Sequence, residues 1–382
     1  MRVHFCIVSE QPIPNLSAAL DGRLRADRLV LLTSQEMATR AERLALVASR
    51  YGIETVKVYL RERLDLTQVA HDVERALDNA ADADEILLNT TGGQKPMAIA
   101  AYEVFLRRGH HAFYVDTDNT VVWLPPAKSE RLVLDTRLGI TDYLDAYGAK
   151  VIRLRQDVDP RGALTEELVC RVSTFGPALS VLNGLAASAR GGQSTVLTEK
   201  QRRSRKIRGL LKLWESADLV SWDKASGEVR FHGREAINYA SGGWLEHHVH
   251  GLLERERDQL DIKETARSVE VMLERRDGEV KNELDVVFLA HNHLYLVECK
   301  TRRYSLRSEE DEDELTAALY KLYAVGRNLG GLAGRTLLVS WNPARPHHLE
   351  RARTLGIQLV CADQLEKLSL VFQLFLRARQ TL

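Results

Sequence analysis

Cysteine is scarce in this 382-residue chain, and its four residues, Cys6, Cys170, Cys299 and Cys361, stand far apart. No two have the spacing of a zinc site, and the run His247, His248, His250 has no cysteine pair beside it, so a structural zinc centre is not expected. Three of the four lie in strand-like runs and read as buried free thiols of a cytosolic protein. Net charge is also lacking: lysine plus arginine and aspartate plus glutamate stand at 53 each, which excludes a global basic field drawing nucleic acid in. No apolar run is long enough to cross a membrane, and no signal peptide, repeat or low-complexity stretch is read. Neither G-x-x-x-x-G-K-[ST] nor a G-x-G-x-x-G after the first strand occurs, which disfavours a nucleoside triphosphate or a dinucleotide.

What is present is concentrated in the stretch ELDVVFLAHNHLYLVECK, Glu283 to Lys300. It reads as a β-hairpin turning at His291 and Asn292, which sets Ala290 opposite His293 and Asp285 opposite Glu298. Side chains alternate along a strand, so Glu298 and Lys300 share a face and Cys299 points away. Directly opposed carboxylates have Cβ atoms about 5 Å apart and repel. A divalent cation turns that repulsion into chelation, and carboxylate oxygens suit manganese or magnesium. A lysine beside them can polarise a water or neutralise a phosphate. Leu284, Val286 and Phe288 are expected to face Tyr295, Val297 and Cys299, with Val287, Leu289, Leu294 and Leu296 on the carboxylate side. A hairpin apolar on both faces belongs inside a covered sheet. The competing reading of Asp285, Glu298 and Lys300 is a salt-bridged rim at a strand end.

The surroundings favour a built site. A helix is expected to start near Gly243 or Trp244, with Leu245, Val249 and Leu252 on its buried stripe and Glu246 near its positive end, as a third carboxylate or an ordinary first-turn residue. Downstream, Ser308 can cap a helix whose acidic first turn, Glu309 to Glu314, reads as solvated. Strand-like runs Thr336–Trp341 and Ile357–Cys361 follow, around a helical segment, giving an α/β layer.

The N-terminal third carries short apolar runs at Val3–Ser9, Arg28–Ser34, Thr55–Leu60, Glu85–Thr90 and His111–Asp116, separated by helical patterns, with Val121–Leu124 as a hairpin strand. This is a Rossmann-like parallel sheet, whose ligands bind at the carboxyl ends of the strands. The strongest candidate there is NTTGGQKPM, Asn89 to Met97. Gly92 and Gly93 let backbone approach a ligand, Pro96 fits a first helical turn, and Thr90, Thr91 and Lys95 favour a phosphate or other polar ligand. Ser9, Thr33 and Ser34 follow the first two strands, with turn or capping roles as their bland explanation.

Asp157–Arg161 and Ala189–Thr195 read as linkers. Between them and the hairpin, Ile207–Trp214 reads as helix, and LVSW and EVRF as a hairpin around KASG, so the middle segment is winged-helix-like. Glu199 to Arg208 packs six basic residues into a helical segment, either a solvated face or a phosphate-tracking surface. The expected domains are 1–145, a connector over 146–235, and 236–382.

On these motifs, residues 240–370 resemble the restriction-endonuclease-like superfamily with its PD-(D/E)-x-K site. Asp285, Glu298 and Lys300 match the motif, and Glu246 matches a first-helix glutamate. Glu283 stands where the motif has proline; it opposes Lys300 and is a candidate ion-pair partner for it. GGWLE, NELD and VECKT are similar to the C-terminal domain of CRISPR-associated nucleases switched on by cyclic oligoadenylate. Residues 1–145, through TSQEM and TTGGQKPM, resemble the CRISPR-associated Rossmann fold (CARF). The resemblance implies a homodimer binding cyclic tetra-adenylate across its two-fold. Thr90, Thr91, Gly92, Gly93 and Lys95 would be the main contacts, with Ser9, Thr33 and Ser34 second. It further implies a nuclease acting on single-stranded DNA or RNA, or on duplex DNA, with Asp285, Glu298 and Glu246 on manganese or magnesium. A cyclic-oligoadenylate-responsive DNA-binding regulator is the alternative, and a sensor that cleaves its own ligand a weaker third.

Overall fold

The computed structural model describes all residues except 62–63, 127–130, 137, 190–192, 276–277, 302–308, 332–333 and 378–382. The Ser308 cap and the centre of the 189–195 linker lie outside the described residues. The chain is mixed α/β, with a parallel-rich N-terminal sheet and an α/β C-terminal unit.

In the first sheet, β1 (Arg2–Ile7), β2 (Arg28–Thr33), β3 (Glu54–Tyr59), β4 (Glu85–Asn89) and β5 (His111–Val115) run parallel. Two antiparallel strands, β6 (Thr120–Trp123) and β7 (Leu132–Val133), complete it in the order β3-β2-β1-β4-β5-β6-β7. The crossovers are α1 (Ile13–Leu20), α2 (Ala38–Arg50), α3 (Leu66–Asp78) and α4 (Lys95–Arg107). Asp65 caps α3 by accepting from the amides of Thr67 and Gln68. Because β1 lies between β2 and β4, the loops that leave these three strands stand side by side at one edge, where the direction of winding reverses.

Helix α5 (Ile140–Ala146) then leads directly into β8 (Ala149–Arg155). Here the expected connector is corrected at its start, because β8 pairs with β12 (Ile262–Arg275) as the edge of the second sheet. That sheet continues through β13 (Gly278–Ala290), β14 (His293–Lys300), β15 (Arg335–Ser340) and β16 (Gln358–Cys361) in the order β16-β15-β14-β13-β12-β8. β13 and β14 form the expected hairpin in the expected register, Val286 opposite Val297 and Ala290 opposite His293. His291 and Asn292 both adopt positive φ (51° and 59°), the two-residue turn whose twist matches the flanking strands. Val286, Phe288, Tyr295, Val297 and Cys299 enter one apolar cluster, and Val287, Leu289, Leu294 and Leu296 enter another. Leu284 joins the second cluster, contrary to the simple alternation, beyond the last β13–β14 pair, Val286 opposite Val297.

The middle of the chain holds α6 (Gly162–Cys170), α7 (Val172–Ser188), β9 (Ser194–Val196), α8 (Glu199–Arg203), α9 (Arg205–Ser216), β10 (Val220–Trp222) and β11 (Glu228–Phe231). The basic run is not one helix: Ser204 breaks it and caps α9 by accepting from the Ile207 amide at 3.4 Å. α10 (Arg234–Asn238) leads through a wide turn at Tyr239–Gly243 into α11 (Trp244–Arg255), and α12 (Glu309–Leu329), α13 (Pro346–Thr354) and α14 (Leu368–Arg377) finish the C-terminal unit. Ile207, Leu211 and Trp214 of α9 share a core cluster with Trp244 and Val249 of α11 and with Phe288 and Tyr295 of the hairpin. The middle segment is therefore packed onto the C-terminal unit, not strung before it.

Candidate active site

The hairpin's charged end, the first turn of α11 and α12 meet around a cleft of about 1030 Å³. Glu246, Glu283, Glu298, Lys300, Glu314 and Lys321 line it on one side, and Arg153, Arg155, Arg161 and His247 on the other. The turn before α11 needs Gly242: at φ 135° a side chain is strained, and a Cβ would lie 2.1 Å from Thr301 Oγ1. This close approach delivers Glu246 beside the hairpin.

Asp285 is anchored by its Oδ2, which accepts the Cys299 backbone N–H at 2.7 Å. Glu298 is 7% exposed and its Oε1 accepts from Lys300 Nζ, with Lys321 Nζ 4.0 Å away. Lys300 thus pairs with Glu298 and not with the candidate Glu283; Glu298 and Lys300 already project from the same face of one strand, and no rotation across the hairpin is needed. Ser268, held at φ 46°, places its hydroxyl 3.5 Å from Glu246 Oε2.

Burial, and then the charge of Glu298, push the Asp285 carboxyl up to about 7. Burial followed by Asp285, Glu283 and Glu298 holds Glu246 well above the usual carboxylate range. Burial alone would lower the Lys300 pKa, but Glu298 and Asp285 outweigh it and raise the lysine. The site therefore gathers more negative charge than its lysine neutralises. Among the described residues no group of three or more histidine, cysteine or acidic side chains forms a ready-made cage. The donor set nonetheless fits a hard divalent cation that uses one or two carboxylates, keeps several waters and shares substrate phosphate oxygens.

The opposite wall was not legible in the sequence. Asp157–Arg161, expected as a linker, is folded tightly: Asp159 accepts from Arg161 N, Nε and Nη2 at 2.7–2.8 Å and lies 2.8 Å from His247 Nδ1. His247 and Arg161 hold the Asp159 carboxyl well below its usual range although burial pushes the other way. Asp157 Oδ2 likewise accepts from the buried Arg267 at 2.6 Å. The only sequence hint was the juxtaposition of acidic residues with arginine in DVDPR.

At the N-terminal sheet, Ser9, Thr33, Ser34 and the 89–95 loop fall at adjacent strand ends. Their individual roles differ from expectation. The Thr90 hydroxyl donates to the Phe113 carbonyl at 3.0 Å, and that of Thr91 donates to Asn89 Oδ1 at 2.6 Å while accepting from Val115 N at 2.7 Å, so both hold the loop in place. Thr33 is fully buried, with its hydroxyl on the Ser34 carbonyl, and Ser34 is nearly so. The two glycines are demanded by the protein itself: a Cβ on Gly92 would meet Ile7 O at 2.0 Å, and one on Gly93, at φ 80°, would meet Ile7 Cγ2 at 2.1 Å. Lys95 is exposed, and Ser9 partly so.

The comparisons agree with this division of labour. Residues 3–143 match the Card1 CARF domain, and residues 233–377 match the Card1-like endonuclease domain. The chain thus carries a CARF domain and an endonuclease domain in one polypeptide, and its C-terminal domain is that of a nuclease. Among solved structures it is similar to protein VC1899 from Vibrio cholerae, with 27% identity, a TM-score of 0.89, and 99% of this chain and 98% of that one covered. It also shares the fold of Can2 from Sulfobacillus thermosulfidooxidans, solved in complex with cyclic tetra-adenylate, at 24% identity and TM-score 0.78, covering 98% of this chain and 96% of that one. A type III CRISPR defence DNA nuclease activated by cyclic oligoadenylate aligns at 19% identity and TM-score 0.57, covering 96% of this chain and 51% of that one. A search of curated proteins finds no match. Among the described residues no single helix is long and apolar enough to cross a membrane.

Proposed function

We propose that the protein is a metal-dependent nuclease of CRISPR antiviral defence, switched on by cyclic tetra-adenylate at its CARF domain. The observation that carries the reading is the cluster of buried carboxylates around Lys300, which lies wholly within the segment matching an endonuclease domain and beside a cleft of about 1030 Å³. Asp285, Glu298 and Glu246 would hold manganese or magnesium. When bound, that ion stabilises charge on the scissile phosphate and lowers the pKa of the attacking water. Lys300, fixed by Glu298 and kept protonated, orients the water and neutralises a phosphate oxygen. Arg155 and Arg161 on the facing wall favour the flanking phosphates.

The activator would lie across the carboxyl edge of β1, β2 and β4, against Lys95, Ser9 and the backbone of the Thr90–Gly93 loop, shared between two subunits of a homodimer. Can2's complex with cyclic tetra-adenylate supports a cyclic oligoadenylate as the activator. Single-stranded DNA or RNA, or duplex DNA, would be the substrate, in the cytoplasm. The catalytic constellation disfavours the regulator reading, since a DNA-binding switch has no use for Asp285, Glu298 and Lys300. The test is cleavage of labelled single-stranded DNA and RNA with manganese, with and without cyclic tetra-adenylate, beside an Asp285→Ala/Glu298→Ala variant. Activator-dependent cutting that the variant lacks supports the proposal. Absence of cutting by a protein that binds the activator sinks it.

A further inference from the structure

The middle segment runs helix, strand, helix, helix, strand, strand: α7, β9, α8, α9, β10, β11. Its strands form an antiparallel sheet in the order β10-β11-β9. This is a helix-turn-helix, α8 and α9, completed by a β-hairpin wing, an arrangement in which the second helix is the one that enters a DNA groove.

The side chains divide cleanly by role. Ile207, Leu210, Leu211 and Trp214 bury one face of α9. Arg205, Arg208 and Lys212 recur at i, i+3 and i+7 on the face opposite, all exposed. No acidic residue interrupts α9 before Glu215, and none of the three cations has an ion-pair partner among the described residues. Two of their neighbours in the basic run are already committed. Arg202 clamps the wing by donating to the carbonyls of Lys224 and Ala225 at 3.1 and 2.6 Å, and Arg203 pairs with Glu199 at 2.6 Å. A merely solvated helix face intersperses both signs of charge; this one carries only cations until Glu215 in its last turn.

We propose that α9 docks in the major groove of duplex DNA through Arg205, Arg208 and Lys212, with Lys224 of the wing on the adjacent backbone. The B-form major groove, about 12 Å wide, admits a helix, whereas the A-form groove of duplex RNA is too narrow and deep. Because α9 and the Glu246-bearing α11 share one core, DNA held there has a fixed relation to the cleft. The use of this surface to present duplex substrate rests on the nuclease reading; the binding itself does not.

The experiment uses full-length protein carrying Asp285→Ala/Glu298→Ala, so that DNA is not cut. Fluorescence anisotropy measures its affinity for a labelled duplex DNA across a salt series, with and without Arg205→Ala/Arg208→Ala/Lys212→Ala. The expected result is at least about a tenfold loss of affinity and a salt slope shallower by roughly three, one step for each lost phosphate contact. The same triple change in catalytically intact protein should leave activator-dependent cutting of a short single strand at the parent rate, while cutting of duplex falls. Unchanged duplex affinity and slope, equal affinity for duplex RNA, or an equal loss on single strands overturns the proposal. A failure of the nuclease reading would show separately, as absent cutting by the parent.

Discussion

The side-chain amide of Asn119 donates a 2.7 Å hydrogen bond to the main-chain carbonyl of His291. Asn119 sits at the β5–β6 turn of the sensor, and His291 at the tip of the hairpin that carries Asp285 and Glu298. Two further bonds flank this one: Thr136 Oγ1 donates to Asn292 Oδ1 at 3.0 Å, and Asn292 Nδ2 to the Leu134 carbonyl at 3.0 Å. The CARF domain therefore grips by its turn the hairpin that carries the candidate site.

Asn119→Gly removes the amide while tolerating the residue's φ of 65°. A buried hydrogen bond is worth ~0.5–1.5 kcal/mol, so the ratio of cleavage rates with and without activator should drop about two- to tenfold at unchanged activator affinity. Parallel measurement of activator binding and initial rates checks this; an unaltered ratio removes the hairpin turn from the coupling route.

Asp285→Asn should lower cleavage by about a hundredfold or more, the scale of losing a charge-stabilising group. The same change relieves carboxylate repulsion, so in chelator at pH 8 the variant should melt above the parent. Manganese should raise the parent's melting temperature and leave the variant's unchanged. A manganese shift retained by the variant would place the ion elsewhere.

Gly93→Ala forces a Cβ to within 2.1 Å of Ile7 Cγ2 at a φ of 80°. The strain should cost ~1–3 kcal/mol and disturb the loop that carries Thr90 to Lys95. Activator affinity should fall while basal, activator-free cutting persists. Calorimetric titration that finds parent affinity would show that the loop plays no part in the site.

His4, fully buried in β1 with its ring 5.9 Å from that of Phe113, has its pKa lowered from 6.5 to about 3, by burial first and then by Arg2. Between those values the unfolded chain binds the proton and the folded one does not, so stability falls as pH drops from 6.5 towards 3. His4→Phe should flatten that acid limb by one proton, at most about 1.4 kcal/mol per pH unit. Melting temperatures of both proteins between pH 7 and 4 would decide it, and parallel curves would acquit His4.

Much of the fold was legible because its signals are local. Alternation over Glu283–Lys300 and the two-residue turn determined the hairpin register, and with it the neighbourhood of Asp285 and Glu298. Short apolar runs divided by helical patterns gave the parallel sheet. What escaped detection depends on contacts between distant segments. Nothing in AKVIRLR names β12 as its partner, and DVDPR reads as a turn until His247 and Arg267 are brought against its carboxylates. The glycines of TTGGQKP were flagged correctly as special, but the backbone they accommodate is Ile7, the end of a neighbouring strand. The single basic helix failed on Ser204, whose capping preference outweighs the continuity of charge around it.

Strand β8 is covalently the continuation of the sensor's last helix and structurally the outer strand of the catalytic sheet. The two halves are therefore not interchangeable cassettes. A recombination event that swapped the sensor at the end of its family-defined segment, after residue 143, would leave β8 with the nuclease sheet it completes. A crossover beyond Arg155 would instead exchange that edge strand, and would succeed only where the incoming chain supplies an equivalent one.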